Sequence, residues 1–345
     1  MVIPETTHEE DIMWWILIIL TGVLFGALAW MVPNLIWLMT WLIAKWCFSF
    51  RIPYAPFGWT ALALVLIVWF CLAYGHYIGR FNIEVNEVEY ASADVPAAFD
   101  GYRVVHISDF HADSFKDTKK LQKVIDKVNE QHADIILFTG DMCTESMKSM
   151  QKHESALKRL KAEKGVVSVM GNHDFFIYNR AYHSDSERCA AAEILAEYER
   201  TKLGWRVLRN DSYIINKGND SIAIAGVDNI NGGQGFRTIQ KGDLRKAMTG
   251  LDGTFTILMT HDPSHWKAEV LPKSHAQITL SGHTHAAQIR LFGWSLANLS
   301  FNECDGRYDH DGRMLYVNAG IGCTVPFRVG CPSEITVILL RHKRA

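Results

Sequence analysis

The sequence predicts an α/β domain, a two-sheet sandwich flanked by helices, preceded by an α-helical transmembrane module. Three observations predict it. Composition breaks sharply near Phe81: residues 1–80 hold seven charged side chains and eight of the eleven tryptophans. Beyond that point, short β-rich apolar runs alternate with amphipathic stretches, the pattern of a layered α/β domain. The later runs follow one another without long helices between them, so part of the sheet is expected to be antiparallel.

Residues 1–80 carry three apolar runs. Residues 12–31 are free of charge, and twenty helical residues at about 1.5 Å each span the roughly 30 Å hydrocarbon layer. Residues 35–50 are apolar apart from Lys45, which can snorkel toward Arg51. Residues 59–77 are again uncharged. Pro33-Asn34 reads as a tight connection, which gives about three helices. Trp14, Trp15, Trp30, Trp59 and Tyr77 fall near run ends, where an interfacial aromatic belt is expected. None of the runs has the polar face of a soluble core helix. The acidic start (Glu5, Glu9, Glu10, Asp11) has no basic residue and is a poor signal-peptide start. The expected location is a multi-pass cell-membrane protein. Three spans with the acidic tail outside put the large domain in the cytoplasm, although the basic residues alone are nearly balanced.

Residues 81–98 read as a linker with some strand character, and 99–345 as the large domain. Its strand runs are 102–108, 135–139, 166–170, 221–227, 254–260, 276–281, 314–317 and 335–340. Residues 119–128 place Leu121, Val124, Ile125 and Val128 at helical spacing, and 187–202 do the same with Ala191, Ile194, Leu195 and Tyr198. A formal net charge of −2 speaks against a nucleic-acid partner. The seven cysteines lack paired spacing, so neither a disulfide framework nor a zinc finger is indicated.

The chemistry sits at the strand ends. The first run ends Ser108-Asp109-Phe110-His111, and residues i and i+2 of an extended chain face the same way. The second ends Gly140-Asp141, the third Gly171-Asn172-His173-Asp174, the fifth Thr260-His261-Asp262, and the sixth Gly282-His283-Thr284-His285. Any one of these alone is an ordinary cap or turn residue. Together they put carboxylate, imidazole and amide oxygen at C-terminal strand ends, where α/β domains bind ligands. That donor mixture suits borderline divalent ions such as Mn²⁺, Fe²⁺ or Zn²⁺.

In this order the blocks resemble the calcineurin-like metallophosphoesterase superfamily over roughly residues 100–340. The resemblance implies two divalent metal ions. Asp109, His111 and His285 would hold one, Asn172, His261 and His283 the other, and Asp141 would bridge them. His173 is implied as the residue that stabilises or protonates the leaving oxygen. Asp174 either orients His173 or caps the next helix. Residues 318–340 (NAGIGCTVPFRVGCPSEITVILL) resemble the bacterial membrane-associated subgroup, which includes phosphodiesterase and UDP-2,3-diacylglucosamine pyrophosphatase branches. That subgroup has Gly-Gly and then Gln after the last histidine pair, whereas this chain has Ala286, Ala287 and Gln288. Protein phosphatases of the superfamily carry Asp-Arg-Gly after the bridging Asp, whereas this chain reads Cys143-Thr144-Glu145-Ser146.

The function expected is a membrane-anchored phosphodiesterase or pyrophosphatase using metal-activated water. The expected partners are the lipid bilayer and a phosphorylated small-molecule or lipid substrate, with no obligate protein partner indicated. A phosphomonoesterase and a non-catalytic metal-binding scaffold are the alternatives. Two segments are candidates for specificity: 175–198, with Phe175, Phe176, Tyr178, Arg180, Tyr182 and His183, and the Gly/Asn-rich stretch 229–237 as a lid. Each has an ordinary structural reading beside it, a packed helix or a plain loop, and Arg328 reads as either a phosphate contact or a solvated arginine.

Overall fold

The computed structural model describes residues 7–48, 50–232 and 238–344. The chain divides into two compact units. The first comprises residues 1–80 with Val325–Val329, and the second holds the rest.

In the first unit, α1 (Thr7–Ile43) runs through the expected break and is followed by a π-helical turn, Ala44–Phe48; α2 is Ala55–Tyr77. Two helices therefore stand where three were expected. Pro33 lies inside α1 and forfeits one amide donor without ending the helix. Next to it, the Asn34 side-chain amide donates to the Trp30 carbonyl (2.7 Å), and the Tyr54 hydroxyl donates to Asn34 Oδ1 (2.8 Å). Both helices are long and apolar enough to cross a membrane, with only 17% and 11% of their apolar windows buried. Gly22 lets them approach, because a Cβ there would fall 2.5 Å from the Trp69 ring. Residues Val325–Val329 belong to this unit: the Arg328 amide donates to the Gly75 carbonyl (3.2 Å), and His76 Nδ1 meets the Pro326 carbonyl (2.6 Å). Arg328 is buried rather than solvated.

The second unit begins with β1 (Ile83–Ser92), β2 (Arg103–Ile107), α3 (Thr118–Asn129) and β3 (Ile135–Phe138). Next come α4 (Met147–Lys152), α5 (Glu154–Leu157), β4 (Val166–Ser168), α6 (Asp185–Tyr198) and β5 (Arg206–Val207). Then follow β6 (Asp211–Lys217), β7 (Asp220–Gly226), α7 (Leu244–Ala247), β8 (Phe255–Met259), α8 (Leu271–Lys273) and β9 (Ile278–Ser281). The last strands are β10 (Arg290–Leu291), β11 (Trp294–Ser295), β12 (Gly306–His310), β13 (Arg313–Val317) and β14 (Ser333–His342). One sheet has the order β1-β14-β2-β3-β4-β5, the other β12-β13-β9-β8-β7-β6, and β10-β11 is a separate hairpin.

The segment expected to be a linker is in fact largely β1. It pairs in parallel with β14 over ten residues, from Ile83↔Ser333 to Ser92↔His342. Ile83 and Val85 pack on the helix-side core and Val88 and Tyr90 on the inter-sheet core, while Glu84, Glu87 and Glu89 stay exposed, as an edge strand allows.

Side-chain period two sorts the core into layers. Val104, Ile135 and Leu137 meet Ile224, Ile257 and Leu280 between the sheets. Their neighbours Val105, Ile136 and Phe138 face the other way, onto Leu121, Val124 and Ile125 of α3 and Leu195 of α6. The second sheet turns Ala223, Leu258 and Val317 toward α7, Trp266 and Val270. The result is a helix–sheet–sheet–helix sandwich. Both sheets mix parallel and antiparallel pairs, as the sequence predicts.

Candidate metal centre

The chain leaves β2, β3, β4, β8 and β9 at their carboxyl ends, and all five ends carry the expected residues. Five of these residues, Asp109, His111, Asp141, His283 and His285, have φ between +40° and +75°. A left-handed backbone is uncommon outside glycine and is strained unless its surroundings fix it. Here they do: Asp109 N donates to Gly140 O (2.9 Å), His111 N to Asp141 O (3.1 Å), and Gly282 N to His261 O (3.0 Å). Gly171 permits a close approach to Asp141, since a Cβ there would lie 2.2 Å from Asp141 Oδ1.

Eight expected side chains converge. His285 Nε2 lies 3.2 Å from Asp109 Oδ1 and 3.0 Å from His111 Nε2. Asn172 Oδ1 is 3.1 Å from His261 Nε2 and 2.8 Å from His283 Nδ1. Asp141 Oδ2 sits between these groups, 3.1 Å from His261 Nε2 and 3.7 Å from His111 Nε2. Three sets could hold an ion, each with donor atoms within 4.8 Å of one another: Asp109–His111–His285, His111–Asp141–His173 and Asp141–His261–His283. His173, expected to stand apart from the ion-holding set, belongs to one of these. Its ring packs against His111 and Tyr178, with centroids 4.8 and 4.7 Å away, and its Nδ1 is 3.2 Å from the Thr144 carbonyl.

The electrostatics suit cations. Burial would lower the basicity of His261, yet the adjoining Asp141 carboxylate overrides it and pushes the imidazole up to about 10. Burial would raise Asp109, but the imidazole of His285 reverses this and holds the carboxylate well below its usual range. Buried His111, beside His173 and His285, is driven well down into its neutral, metal-ligating form. A buried carboxylate that stabilises positive charge on its neighbour is suited to exchange that proton for a divalent ion.

A further set of residues positions these donors, and sequence reasoning missed most of it. Asp174 neither orients His173 nor caps a long helix. Its carboxylate accepts three backbone amides, those of Gly171, Asp141 and Met142, each at 2.8 Å, and so ties two site loops together. Burial, reinforced by the Asp141 charge, pushes its carboxyl up to about 7. Asp262 Oδ2 stands 3.6 Å from His283 Nε2, while its Oδ1 accepts from the Ser264 amide and hydroxyl. The Thr139 carbonyl meets His261 Nδ1 (2.7 Å), and Thr144 Oγ1 meets His111 Nδ1 (3.0 Å). Such partners fix imidazole orientation and tautomer. Asp174 and Asp262 adjoin the ligand blocks, and that adjacency was the only sequence signal for them.

Other candidates resolve differently. Phe175 and Phe176 are core residues, Tyr182 packs on Phe176, and Tyr178 is the member of that segment stacked on His173. Asn229 is tied down by its amide bonds to Thr238 Oγ1 and the Ile239 carbonyl, and residues 233–237 of the expected lid lie outside the described residues. Cys143 is wholly buried in the core, a packing residue. Ala286 and Ala287 keep left-handed backbones (φ 48° and 49°) without the glycines that would adopt them freely.

A two-sheet α/β sandwich with carboxylate, imidazole and amide donors gathered at its strand ends defines a metal-dependent phosphoester hydrolase. The chain belongs to the calcineurin-like phosphoesterase family, whose pattern it matches over residues 102–287. It is 30% identical over 278 residues to "Uncharacterized metallophosphoesterase YkuE" of Bacillus subtilis (strain 168), covering 78% of this chain and 89% of that one. It is 27% identical to "Transmembrane protein with metallophosphoesterase domain" of Danio rerio, covering 83% of this chain and 63% of that longer relative. It is also 27% identical to "UDP-2,3-diacylglucosamine pyrophosphatase LpxG" of Chlamydia muridarum (strain MoPn / Nigg), covering 69% of this chain and 83% of that one.

Proposed function

We propose that the chain is a membrane-anchored hydrolase of phosphodiester or pyrophosphate bonds, acting on a lipid-linked substrate with two divalent ions. Asp109, His111 and His285 would hold one ion and Asn172, His261 and His283 the other, with Asp141 offering its carboxylate to both. The observation that carries this reading is the convergence of both donor sets on the Asp141 carboxylate. When bound, such ions supply Lewis acidity and lower the pKa of water to near neutrality. The protein's own part is positioning and proton transfer. The Asp141 carboxylate would offset the repulsion between two cations. Its Oδ1 accepts the His173 amide at 2.8 Å, which fixes where the His173 ring starts. His173 Nδ1–H donates to the Thr144 carbonyl, so a proton for the departing oxygen would come from Nε2 of the doubly protonated ring.

The substrate class rests on two supports. One similar protein is named as a lipid-sugar nucleotide pyrophosphatase, and the apolar helices leave surfaces such as Leu66 and Phe70 uncovered by protein. An aqueous core helix would bury them. We read α1 and α2 as two spans, which would put the acidic tail and the domain on the same side, because three were needed to separate them. With two, Lys45 and Arg51 flank the connection, and the positive-inside bias places that loop in the cytoplasm and the catalytic domain opposite. A reporter fused at residue 85 tests this placement.

For the activity, purified full chain with Mn²⁺ is expected to cleave an aryl phosphodiester, to prefer it over the monoester, and to stop with chelator. Asp141→Asn and His173→Ala should each lower kcat/KM by about 10²–10⁴, with metal retained in the His173 variant. Unimpaired turnover in both variants refutes the assignment.

A further inference from the structure

Most large apolar side chains of the second unit are inside. Tyr178, Ile194 and Ile214 are exposed singly, whereas Leu291, Phe292, Trp294 and Leu299 cluster within twelve residues whose sole charge is Arg290. They lie on the hairpin β10–β11 and the 3-10 turn Leu296–Leu299 that follows it. We propose that this hairpin is a membrane-inserting finger, which seats on the lipid bilayer and presents lipid-borne substrate to the metal centre.

The turn geometry argues against accident. Phe292 (φ 53°) and Gly293 (φ 81°) occupy the two central positions of a two-residue hairpin loop. Asn, Asp or Gly are the residues that take such a turn freely. An aromatic ring there strains the backbone, and this one is fully exposed, so no packing within the described protein offsets the strain. Insertion into lipid would offset it.

The finger is rooted at the site on both sides. Its first strand follows His285 by five residues. The Ser295 hydroxyl donates to the Ala286 carbonyl, and Ser295 N donates to Asn298 Oδ1 (2.9 Å). Further along, Phe301 packs edge-on against His283, with centroids 5.6 Å apart, and Thr284 donates to the Cys304 carbonyl. The one charge, Arg290, is paired with Asp305 at the base, so the tip presents no ion to lipid.

A bilayer fits this surface better than a protein does. The strands are two residues long, too short to template an added strand. The patch is a projecting tip, whereas protein docking favours packed, water-excluding pockets. Tryptophan and phenylalanine favour the membrane interface. The inference rests on the membrane-anchored reading above, since anchoring keeps the domain at high effective concentration beside lipid.

The test is photocrosslinking of the full chain in phosphatidylcholine–phosphatidylglycerol vesicles. p-Benzoylphenylalanine is placed in turn at Phe292, at Leu299, at Leu66 of α2 as the anchor position, and at exposed Ile214 of β6. These side chains are exposed, so the fold should tolerate the probe. The proposal expects lipid adducts at 292 and 299 approaching the yield at 66 and several-fold above 214. Adducts at 66 but not at 292 or 299 overturn the finger and leave the anchor standing. No adduct at 66 overturns the anchor, and the finger with it. Equal yields at 214 and 292, or protein–protein adducts at 292, also overturn it.

Discussion

Gly171→Ala tests the centre through geometry, because it adds one methyl group and changes no donor. Gly171 has an ordinary φ, so alanine fits its backbone and only space is at issue. The new Cβ would lie 2.2 Å from Asp141 Oδ1, 2.7 Å from Asp141 N and 2.8 Å from Asp141 Cγ, where ordinary contact begins at 3.4 Å. The required displacement is therefore 3.4 − 2.2 = 1.2 Å. Asp141 cannot simply swing away. Its Oδ1 accepts the His173 amide, its own amide donates to Asp174, and its Oδ2 faces His261. The carboxylate between the two donor sets must shift, or the 171–174 loop must retreat and take Asn172 with it.

A displacement of about 1 Å at a positioned group can cost about 10²-fold in rate, equivalent to roughly 2.7 kcal/mol. Overpacking of this kind costs about 1–3 kcal/mol of stability, which leaves the domain folded. The measurements are kcat/KM on an aryl phosphodiester with Mn²⁺, metal content per chain, and thermal melting. A folded variant with weakened metal binding and about a hundredfold loss of turnover is expected. Turnover within about threefold of wild type and full metal content, in a variant that should lose far more, would show that Asp141 does not set the spacing.

Asp174→Asn keeps shape but presents an NH₂ to at least one of three amide donors. Losing one or two charge-assisted bonds should lower stability by about 2–4 kcal/mol, read by denaturant titration, while a change below about 0.5 kcal/mol would remove Asp174 from the positioning set. Glu199 is buried; burial first, then Asp174, pushes its carboxyl up to about 8 from 4.5, and its side chain accepts from the Ser168 hydroxyl (2.6 Å). Its folded pKa lies above the unfolded one, so the native state holds the extra proton between the two values and stability falls as pH rises from 4.5 to 8. Glu199→Gln removes that dependence. It should therefore gain on wild type, by a few kcal/mol in order of magnitude, between pH 5 and pH 9; a constant difference across that range would refute the assignment. Ala287→Gly relieves a left-handed alanine and should raise stability by roughly 0.5–1 kcal/mol, the left-handed penalty less glycine's entropy, whereas a lower melting temperature would mean the strain is absent.

Much of this was legible in the sequence. The eight strand runs fall on β2, β3, β4, β7, β8, β9, β13 and β14, because each is a buried apolar run closed by a polar cluster. The donor set was legible for the same reason, since a strand that ends in Asp-Phe-His or Gly-His-Thr-His has little structural need for those side chains. What escaped depends on partners far along the chain. The alternation in residues 83–92 suggested a strand, but nothing local indicates that it pairs with 333–342. Pro33 reads as punctuation, yet one missing amide does not end a helix flanked on both sides by long, mostly apolar stretches. The exposed hairpin at 290–295 is too short to register as strand. Asp174 was in view with other roles and Asp262 without one, since their partners are backbone amides and an imidazole brought near by folding.

The arrangement has one consequence for how the site is held. Asp109 and His111 leave the first sheet, and His285, which completes their set, leaves the second. Asn172 leaves the first sheet, and His261 and His283 leave the second. Each donor set is thus stitched across the sandwich, and Asp141 belongs to the first sheet alone. The separation of the two halves of each set is governed by the side chains between the sheets, Val169, Met259 and Leu280 among them. Close-packed interiors transmit volume changes rather than absorb them. The five left-handed donors add to this rigidity, since each backbone is held by a hydrogen bond to a neighbouring loop or by close packing. Strain of this kind persists where surrounding structure over-determines it, and it holds the donors close together. The spacing of the two donor sets therefore depends on inter-sheet packing that contains none of the donor groups.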